Sequence, residues 1–286
     1  MKKTIALLLT LAMMLCMFAG CSDAKEPDET QNTVDTQPTN PSTEEAPEEP
    51  VELVVFAAAS MTETLTEIAD LYKEVAPNVT LVFNFDSSGT LKTQIEEGAA
   101  CDVFISAAQK QMNQLDAASD TDAGLNFVLQ GTRVNLLENK VVLVVPEGNP
   151  AGVESFEDVP TDKVSMIALG NSDVPVGQYS EEVFTNMGVW EDLQNKITFG
   201  SNVKEVTTWV SEGAVDCGVV YGTDAYSAGL EIIATAPDEL LNNRVIYPAA
   251  VLNTTKHEAE AKAFLDFLQS AECSAVFEKV GFAIAK

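Results

Sequence analysis

From residue 51 onward, apolar and polar positions follow two rhythms in turn. Short, mostly apolar runs at 54–59, 80–85, 103–106, 141–145, 165–169, 197–199, 217–221, 232–234 and 244–252 read as strands. Between them, apolar residues recur every three or four positions, which is the spacing of one helix face. The first of these helices runs from Ser60 to about residue 76, with Leu65, Ile68, Tyr72 and Val75 on one side. Further helices are expected at 90–97, at 109–115, from Pro175 to a stop at Gly188, and at 203–212, 258–269 and 274–280. Gly98, Gly188 and Gly213 stand where helices end in a left-handed residue. A break around 124–139 divides the series in two.

Strand and helix alternating in this way imply largely parallel sheets with helices on both faces. The expected fold is α/β and two-lobed, each lobe a mostly parallel sheet flanked by helices. The chain is expected to cross between lobes near 138–141 and 246–248. Residues 51–138 and 247–286 then form lobe I, and residues 139–246 form lobe II. A single large doubly wound sheet is the alternative.

The first fifty residues follow neither rhythm. Lys2 and Lys3 precede an apolar run over 5–19 and then Gly20-Cys21-Ser22, the layout of an export signal. The run is short for a membrane-spanning helix. Ala19-Gly20-Cys21 resembles the bacterial lipobox, which would make Cys21 the lipidated first residue of the exported chain. Phe18 stands where that pattern usually has leucine, and an ordinary secretory signal cleaved nearby is the alternative. Residues 1–21 are therefore read as a signal peptide with lipobox. Residues 22–50, rich in Asp, Glu, Thr and Pro, are read as a disordered acidic tether, because they have too little apolar surface to offset the entropy of ordering.

Composition narrows the chemistry. The chain has 286 residues, 46% of them hydrophobic, enough for the cores of two lobes. Lys+Arg number 16 against 44 Asp+Glu, a formal charge of -28, so nucleic acids and acidic membrane surfaces are poor partners. Part of that excess belongs to the tether. His257 is the one histidine, and Arg133 and Arg244 are the only arginines. A His-rich zinc site is excluded, and a Ser-His-Asp hydrolase would have to use His257, which lies in a helical run far from the serine turns. Cys101, Cys217 and Cys273 are odd in number beyond the signal region and read as small buried apolar residues, not a disulfide framework.

What remains is a repeated turn. Val55-Phe56-Ala57-Ala58-Ala59-Ser60 runs from a strand into a helix, and Ser60-Met61-Thr62-Glu63 has the spacing of a capping box. Asp86-Ser87-Ser88-Gly89 opens a second helix, Pro175-Val176-Gly177 a third, and Ser201-Asn202-Val203 a fourth. The start of a helix carries unpaired N–H groups and a partial positive charge. Open α/β sheets place ligands beyond the carboxyl ends of their strands. Four such turns facing one cleft would supply N–H and hydroxyl donors without a formal positive charge, which suits a compact, fully deprotonated oxyanion. Each turn alone is also explained as a plain helix cap. Tyr221 reads equally well as a core aromatic, and Lys140, Lys204 and Arg133 as solvated or fold-supporting.

Val55-Phe56-Ala57-Ala58-Ala59-Ser60, Asp86-Ser87-Ser88-Gly89-Thr90-Leu91, Asp102-Val103-Phe104-Ile105-Ser106-Ala107, Val174-Pro175-Val176-Gly177 and Gly218-Val219-Val220-Tyr221-Gly222-Thr223-Asp224-Ala225 resemble in order the periplasmic molybdate-binding proteins of ABC importers. That family lies within the type II periplasmic-binding-protein superfamily, and the resemblance runs from about residue 52 to the C-terminus. It implies that the oxyanion is held by the hydroxyls of Ser60, Ser88 and Tyr221 and by the amides of Val176 and Val203, with Ser87, Ala59 and Gly89 as possible additional donors. Val176 stands where alanine is frequent, which a backbone donor tolerates. Asp86 stands where a small residue is frequent. It reads as an outward turn residue, or, more sharply, as an acceptor for the proton of hydrogen phosphate.

The resemblance implies a lipid-anchored, monomeric receptor, exported to the outer face of the cytoplasmic membrane or the periplasm. It would capture molybdate and tungstate, need no cofactor, catalyse nothing, and deliver to an ABC permease with a cytoplasmic ATPase. Lobe closure would bury the anion. Affinity is expected to change little between about pH 6 and 8, since no serine or tyrosine titrates there. The alternatives are another tetrahedral oxyanion (sulfate or phosphate), an exported serine hydrolase using Ser60 or Ser88, and a purely structural surface lipoprotein.

Overall fold

A computed structural model describes residues 49–120 and 124–285. The signal peptide with its Cys21, and almost all of the tether, lie outside the described residues. The chain begins with strand β1 (Val51–Ala58) and passes through a short 3-10 turn, Ala59–Met61, into helix α1 (Thr62–Val75). β2 (Val79–Asp86), α2 (Ser88–Glu96), β3 (Val103–Ile105) and α3 (Gln109–Leu115) follow. Next come β4 (Val134–Asn139), β5 (Val141–Val145), β6 (Ile167–Gly170), α4 (Pro175–Asn186) and the short α5 (Trp190–Leu193). Then come β7 (Ile197–Gly200), α6 (Val203–Ser211), β8 (Cys217–Tyr221), α7 (Gly222–Ala228) and β9 (Glu231–Thr235). β10 (Val245–Val251), α8 (Glu258–Phe267), α9 (Ala271–Lys279) and β11 (Ala283–Ile284) complete it.

Among the described residues these strands form two sheets, ordered β11-β4-β10-β3-β1-β2 and β7-β6-β8-β5-β9. The single doubly wound sheet is thereby set aside. Strands joined through a helix pair in parallel, β1 with β2 and β3, and β6 with β7 and β8. The strands that carry the chain between sheets pair antiparallel: β10 with β3 and β4, and β5 with β8 and β9. β4 ends at Asn139 in one sheet and β5 begins at Val141 in the other. The return runs from β9 to β10, where the register shifts between Tyr247 and Pro248 because proline has no N–H for the ladder.

Burial explains the sequence pattern. β5 is buried at all five positions because it lies inside its sheet with helices over it, so it reads as an unbroken apolar run. α1 turns Leu65, Ile68 and Tyr72 inward, and Tyr72 packs edge-on against Phe264 of α8 at 5.0 Å. Val75, expected on the same face, is 64% exposed, since the helix ends there and the chain turns away. β4 occupies part of the expected break around 124–139. Its alternation of buried Leu136, Leu137 and Asn139 with partly exposed Val134 and Glu138 is too irregular to stand out. Cys101, Cys217 and Cys273 are buried free thiols.

Candidate functional site

The carboxyl ends of β1, β2, β6, β7 and β8 meet where the two sheets face each other. Ala58, Ala59, Ser60, Asp86, Ser87, Ser88 and Ala107 from the first lobe line a cavity of about 10 Å³ there. Val174, Pro175, Val203 and Tyr221 close it from the second lobe. That is about the space of one water molecule, so a larger guest enters only as the lobes part. Among the described residues, no lysine or arginine lines the cavity.

Ser60 does not cap α1. The helix begins two residues later with Met61 as its N-cap, and no side chain accepts a hydrogen bond there. The 3-10 turn swings the Ser60 hydroxyl inward instead, to within 2.9 Å of the hydroxyl of Tyr247. The serine pair at the second turn divides its work. Ser87 caps α2 by accepting from the Thr90 N–H at 3.2 Å, and its hydroxyl also meets that of Thr90. Ser88 is fully buried, and its oxygen accepts from the Ala107 N–H at 2.9 Å, which leaves its own proton free for the cavity. The Gly89 N–H, expected as a further donor, gives its bond to the Asp173 carbonyl of the opposite lobe at 3.0 Å and is removed from the donor set.

In the second lobe the candidate donors are main-chain. Val203 is the first residue of α6, behind an N-cap in which Asn202 accepts from the Glu205 N–H. Val176 is the second residue of α4, after Pro175. Within the first turn of a helix no intrahelical carbonyl reaches such N–H groups. The Val176 side chain is wholly buried and does not itself line the cavity, although its neighbours Val174 and Pro175 do. Tyr221, the last residue of β8, sends its hydroxyl across the cleft to the Ala107 carbonyl at 3.2 Å, so its proton must turn to serve a guest. Burial holds its phenol well above the usual range, and it stays neutral.

Several other contacts span the cleft. Lys204 pairs with Glu63 of the first lobe at 2.7 Å and with Asp224 of its own lobe at 3.3 Å. Burial alone would lower the Lys204 ammonium, but the Asp224 and Glu63 carboxylates hold it above the usual range. Its charge is thus divided between two acids and not directed at the cavity. Asp224 is fully buried, and burial pushes its carboxyl up to about 6. Asp86 accepts from the Ser87 N–H at 2.7 Å, lies 3.5 Å from the Asn202 amide, and lines the cavity where an outward turn was expected. His257 precedes α8 and does not line the cavity.

A wider groove of about 840 Å³ contains both arginines. Arg133 donates there to Asp116, Gln109 and Asn113, the largely exposed Arg244 pairs with Glu138 at 2.7 Å, and Lys110 also lines the groove. Each guanidinium in the groove already has a carboxylate partner.

The pattern of the bacterial extracellular solute-binding proteins matches residues 53–283. The chain belongs to that family. It is an extracellular solute-binding protein and not an enzyme, and its fold is the two-lobed type II periplasmic-binding-protein fold. Over 232 residues it is 37% identical to the putative ABC transporter substrate-binding lipoprotein YvgL of Bacillus subtilis, covering 80% of this chain and 85% of that one. Over 240 residues it is 35% identical to the molybdate-binding protein ModA of Escherichia coli, covering 82% and 89%. Among solved structures it is similar to the substrate-binding domain of a putative molybdenum ABC transporter from Clostridium difficile, with 36% identity and a TM-score of 0.62. That match covers 82% of this chain and all of the other.

Tyr247 was not singled out by sequence reasoning. Its one signal is a lone tyrosine beside Pro248 in the strand that returns the chain to the first lobe.

Proposed function

We propose that this solute-binding protein captures molybdate, and tungstate with it, and hands the anion to an ABC permease driven by a cytoplasmic ATPase. The observation that carries this reading is a small cavity between two lobes, ringed by hydroxyls and helix N-termini and, among the described residues, lined by no cationic side chain. Donors of that kind suit a guest that only accepts hydrogen bonds. Ser60, Ser88 and Tyr221 would give hydroxyls, and Val176 and Val203 amides. Ala59 remains a further candidate, while Ser87 acts as a cap. The 35% identity to a protein named for molybdate binding supports the choice among tetrahedral dianions.

We also propose the division into lobe I (residues 51–138 and 247–286) and lobe II (residues 139–246). The N-terminal sequence supports export with Cys21 as the lipidated residue, tethering the chain at the outer face of the membrane.

One observation favours a second reading. Asp86 lines the cavity, and a carboxylate there would accept the proton of hydrogen phosphate while repelling a dianion. Sulfate has no such proton and would compete with molybdate through size alone. Calorimetric titration with molybdate, tungstate, sulfate and phosphate separates these. Tight molybdate and tungstate binding, with phosphate at least about a hundredfold weaker, is the expected result. Tight binding of phosphate alone would replace the molybdate reading with one built on Asp86.

A further inference from the structure

The hydroxyl of Ser60 is not free to choose its direction. It lies 2.9 Å from the hydroxyl of Tyr247, and distance alone does not say which oxygen donates. The side chain of Asn139 constrains it. The Lys140 N–H donates to Asn139 Oδ1 at 2.8 Å, which fixes the amide with Nδ2 on the other side. Nδ2 then donates to Thr223 Oγ1 at 2.9 Å and to Tyr247 Oη at 3.2 Å, using both of its protons. Tyr247 Oη therefore accepts from Asn139. Its one proton remains, and Ser60 Oγ is the acceptor that stands in hydrogen-bond geometry to it. The Tyr221 hydroxyl also lies close, and although its own proton goes to the Ala107 carbonyl, its oxygen is a second acceptor within reach of Tyr247.

We propose that Asn139 and Tyr247 are positioning residues that impose one direction on this chain, so that Ser60 meets a guest only as a donor. The sequence of bonds is Asn139 Nδ2–H to Tyr247 Oη, Tyr247 O–H to Ser60 Oγ, and Ser60 O–H to the guest. Asn139, Tyr247 and Ser60 are all buried, so water does not compete for these bonds. Asn139 ends β4 where the chain leaves the first sheet, and Tyr247 sits in β10 where it has returned. Both crossing strands thus act on one hydroxyl. The consequence is selectivity. An oxyanion without protons is satisfied at this corner, whereas one that turns an O–H toward Ser60 meets another O–H.

This inference rests on the reading of Ser60 as an anion ligand, and a double-mutant cycle on the full-length protein separates the two. Ser60→Ala, Tyr247→Phe and the double variant are titrated with molybdate and with phosphate. Ser60→Ala is expected to weaken molybdate about thirtyfold and Tyr247→Phe about fivefold, and the double variant should match Ser60→Ala alone. Tyr247→Phe should also shift the molybdate-to-phosphate ratio at least about threefold toward phosphate, because the freed hydroxyl can then accept. Independent losses that multiply in the double variant, or an unchanged ratio, would overturn the inference and leave Tyr247 a packing residue. If Ser60→Ala itself leaves molybdate binding intact, the site reading falls and takes the inference with it. Should Tyr247→Phe fail to fold, Asn139→Ala in the same cycle asks the same question, with the same coupling to Ser60 expected.

Discussion

The two walls of the cleft solve one problem with different parts. The first lobe presents side-chain hydroxyls, Ser60 and Ser88, each anchored by a second buried group, Tyr247 and the Ala107 amide. The second lobe presents the first turns of α4 and α6, whose donors are main-chain, and one side chain, Tyr221. A wall of hydroxyls is defined by residue identity. A wall of helix starts is defined by backbone placement and is nearly indifferent to the side chains that carry it. Substitutions should therefore act differently on the two sides.

The largest effect is expected where the walls touch. A Cβ built on Gly89 would stand 2.4 Å from the Asp173 carbonyl oxygen and 2.9 Å from its Cα, both backbone atoms of the opposite lobe. Neither can swing aside, so relief comes only from parting the lobes. Gly89→Ala should weaken molybdate about a hundredfold, equivalent to about 2.7 kcal/mol, with the melting of the ligand-free protein nearly unchanged. Gly177 is the control. Its Cβ would meet the Gly170 carbonyl at 2.2 Å inside the second lobe, where opening brings no relief. Gly177→Ala should lower the melting temperature with or without ligand. Equal behaviour of the two variants would remove the distinction between a clash across the cleft and one within a wall.

Next in size is a hydroxyl of the first wall. Ser88→Ala removes a donor to the guest and leaves the buried Ala107 N–H without its acceptor. Affinity should fall about thirtyfold, and stability by about 1–3 kcal/mol, the cost of an unpaired buried amide. Calorimetry and denaturant unfolding read the two separately. A loss of stability alone would make Ser88 structural.

The architecture was largely legible in the sequence, because buried strands and helix faces are local patterns. The chemistry of individual turns was legible only where their partners are near in sequence. Asn202 caps α6 three residues on, as its position suggests. Ser60 misled: Ser-x-x-Glu has capping spacing, but the partner that takes its hydroxyl is Tyr247, 187 residues away. The Gly89 amide was lost to Asp173 for the same reason. Ser87 and Ser88 were indistinguishable until the helix start fixed which one faces Thr90 and which faces Ala107. Asp224 gave no signal as an ionisable residue, since nothing local foretells complete burial.

Charge extends the contrast between the walls. The carboxylates of the first, Glu63 and Asp86, reach solvent in part, while Asp224 of the second is fully buried. The charged and titratable groups around Asp224 are Lys204, Glu63, Tyr221 and Tyr247. Because burial raises its carboxyl from 3.8 to about 6, the folded protein holds that proton more tightly than the unfolded chain. Protonation therefore stabilises the fold, and this contribution is lost as pH rises from about 4 through 6. Between pH 4.5 and 7 it amounts to about 2 kcal/mol. Asp224→Asn should abolish that part of the pH dependence and be neutral or stabilising at pH 7. The measurement is unfolding free energy of both proteins at the two pH values. Parallel curves would show that Asp224 is charged throughout. Molybdate affinity above pH 6.5 should stay flat in both proteins, in keeping with ligands that do not titrate there.

The smallest effect tests the second wall most directly. Val203 begins α6, so its N–H is spare while its side chain is buried. Val203→Ala keeps the amide and should change affinity by no more than about twofold, at a stability cost of about 1–2 kcal/mol for the lost packing. Val203→Pro removes the amide at the one helical position where proline is favoured. Asn202 before it already has the extended backbone, φ -154° and ψ 172°, that a following proline demands. That variant should fold and yet bind about tenfold more weakly. If alanine damages binding as much as proline does, the second wall grips with side chains, and the two sides of the cleft are not different in kind.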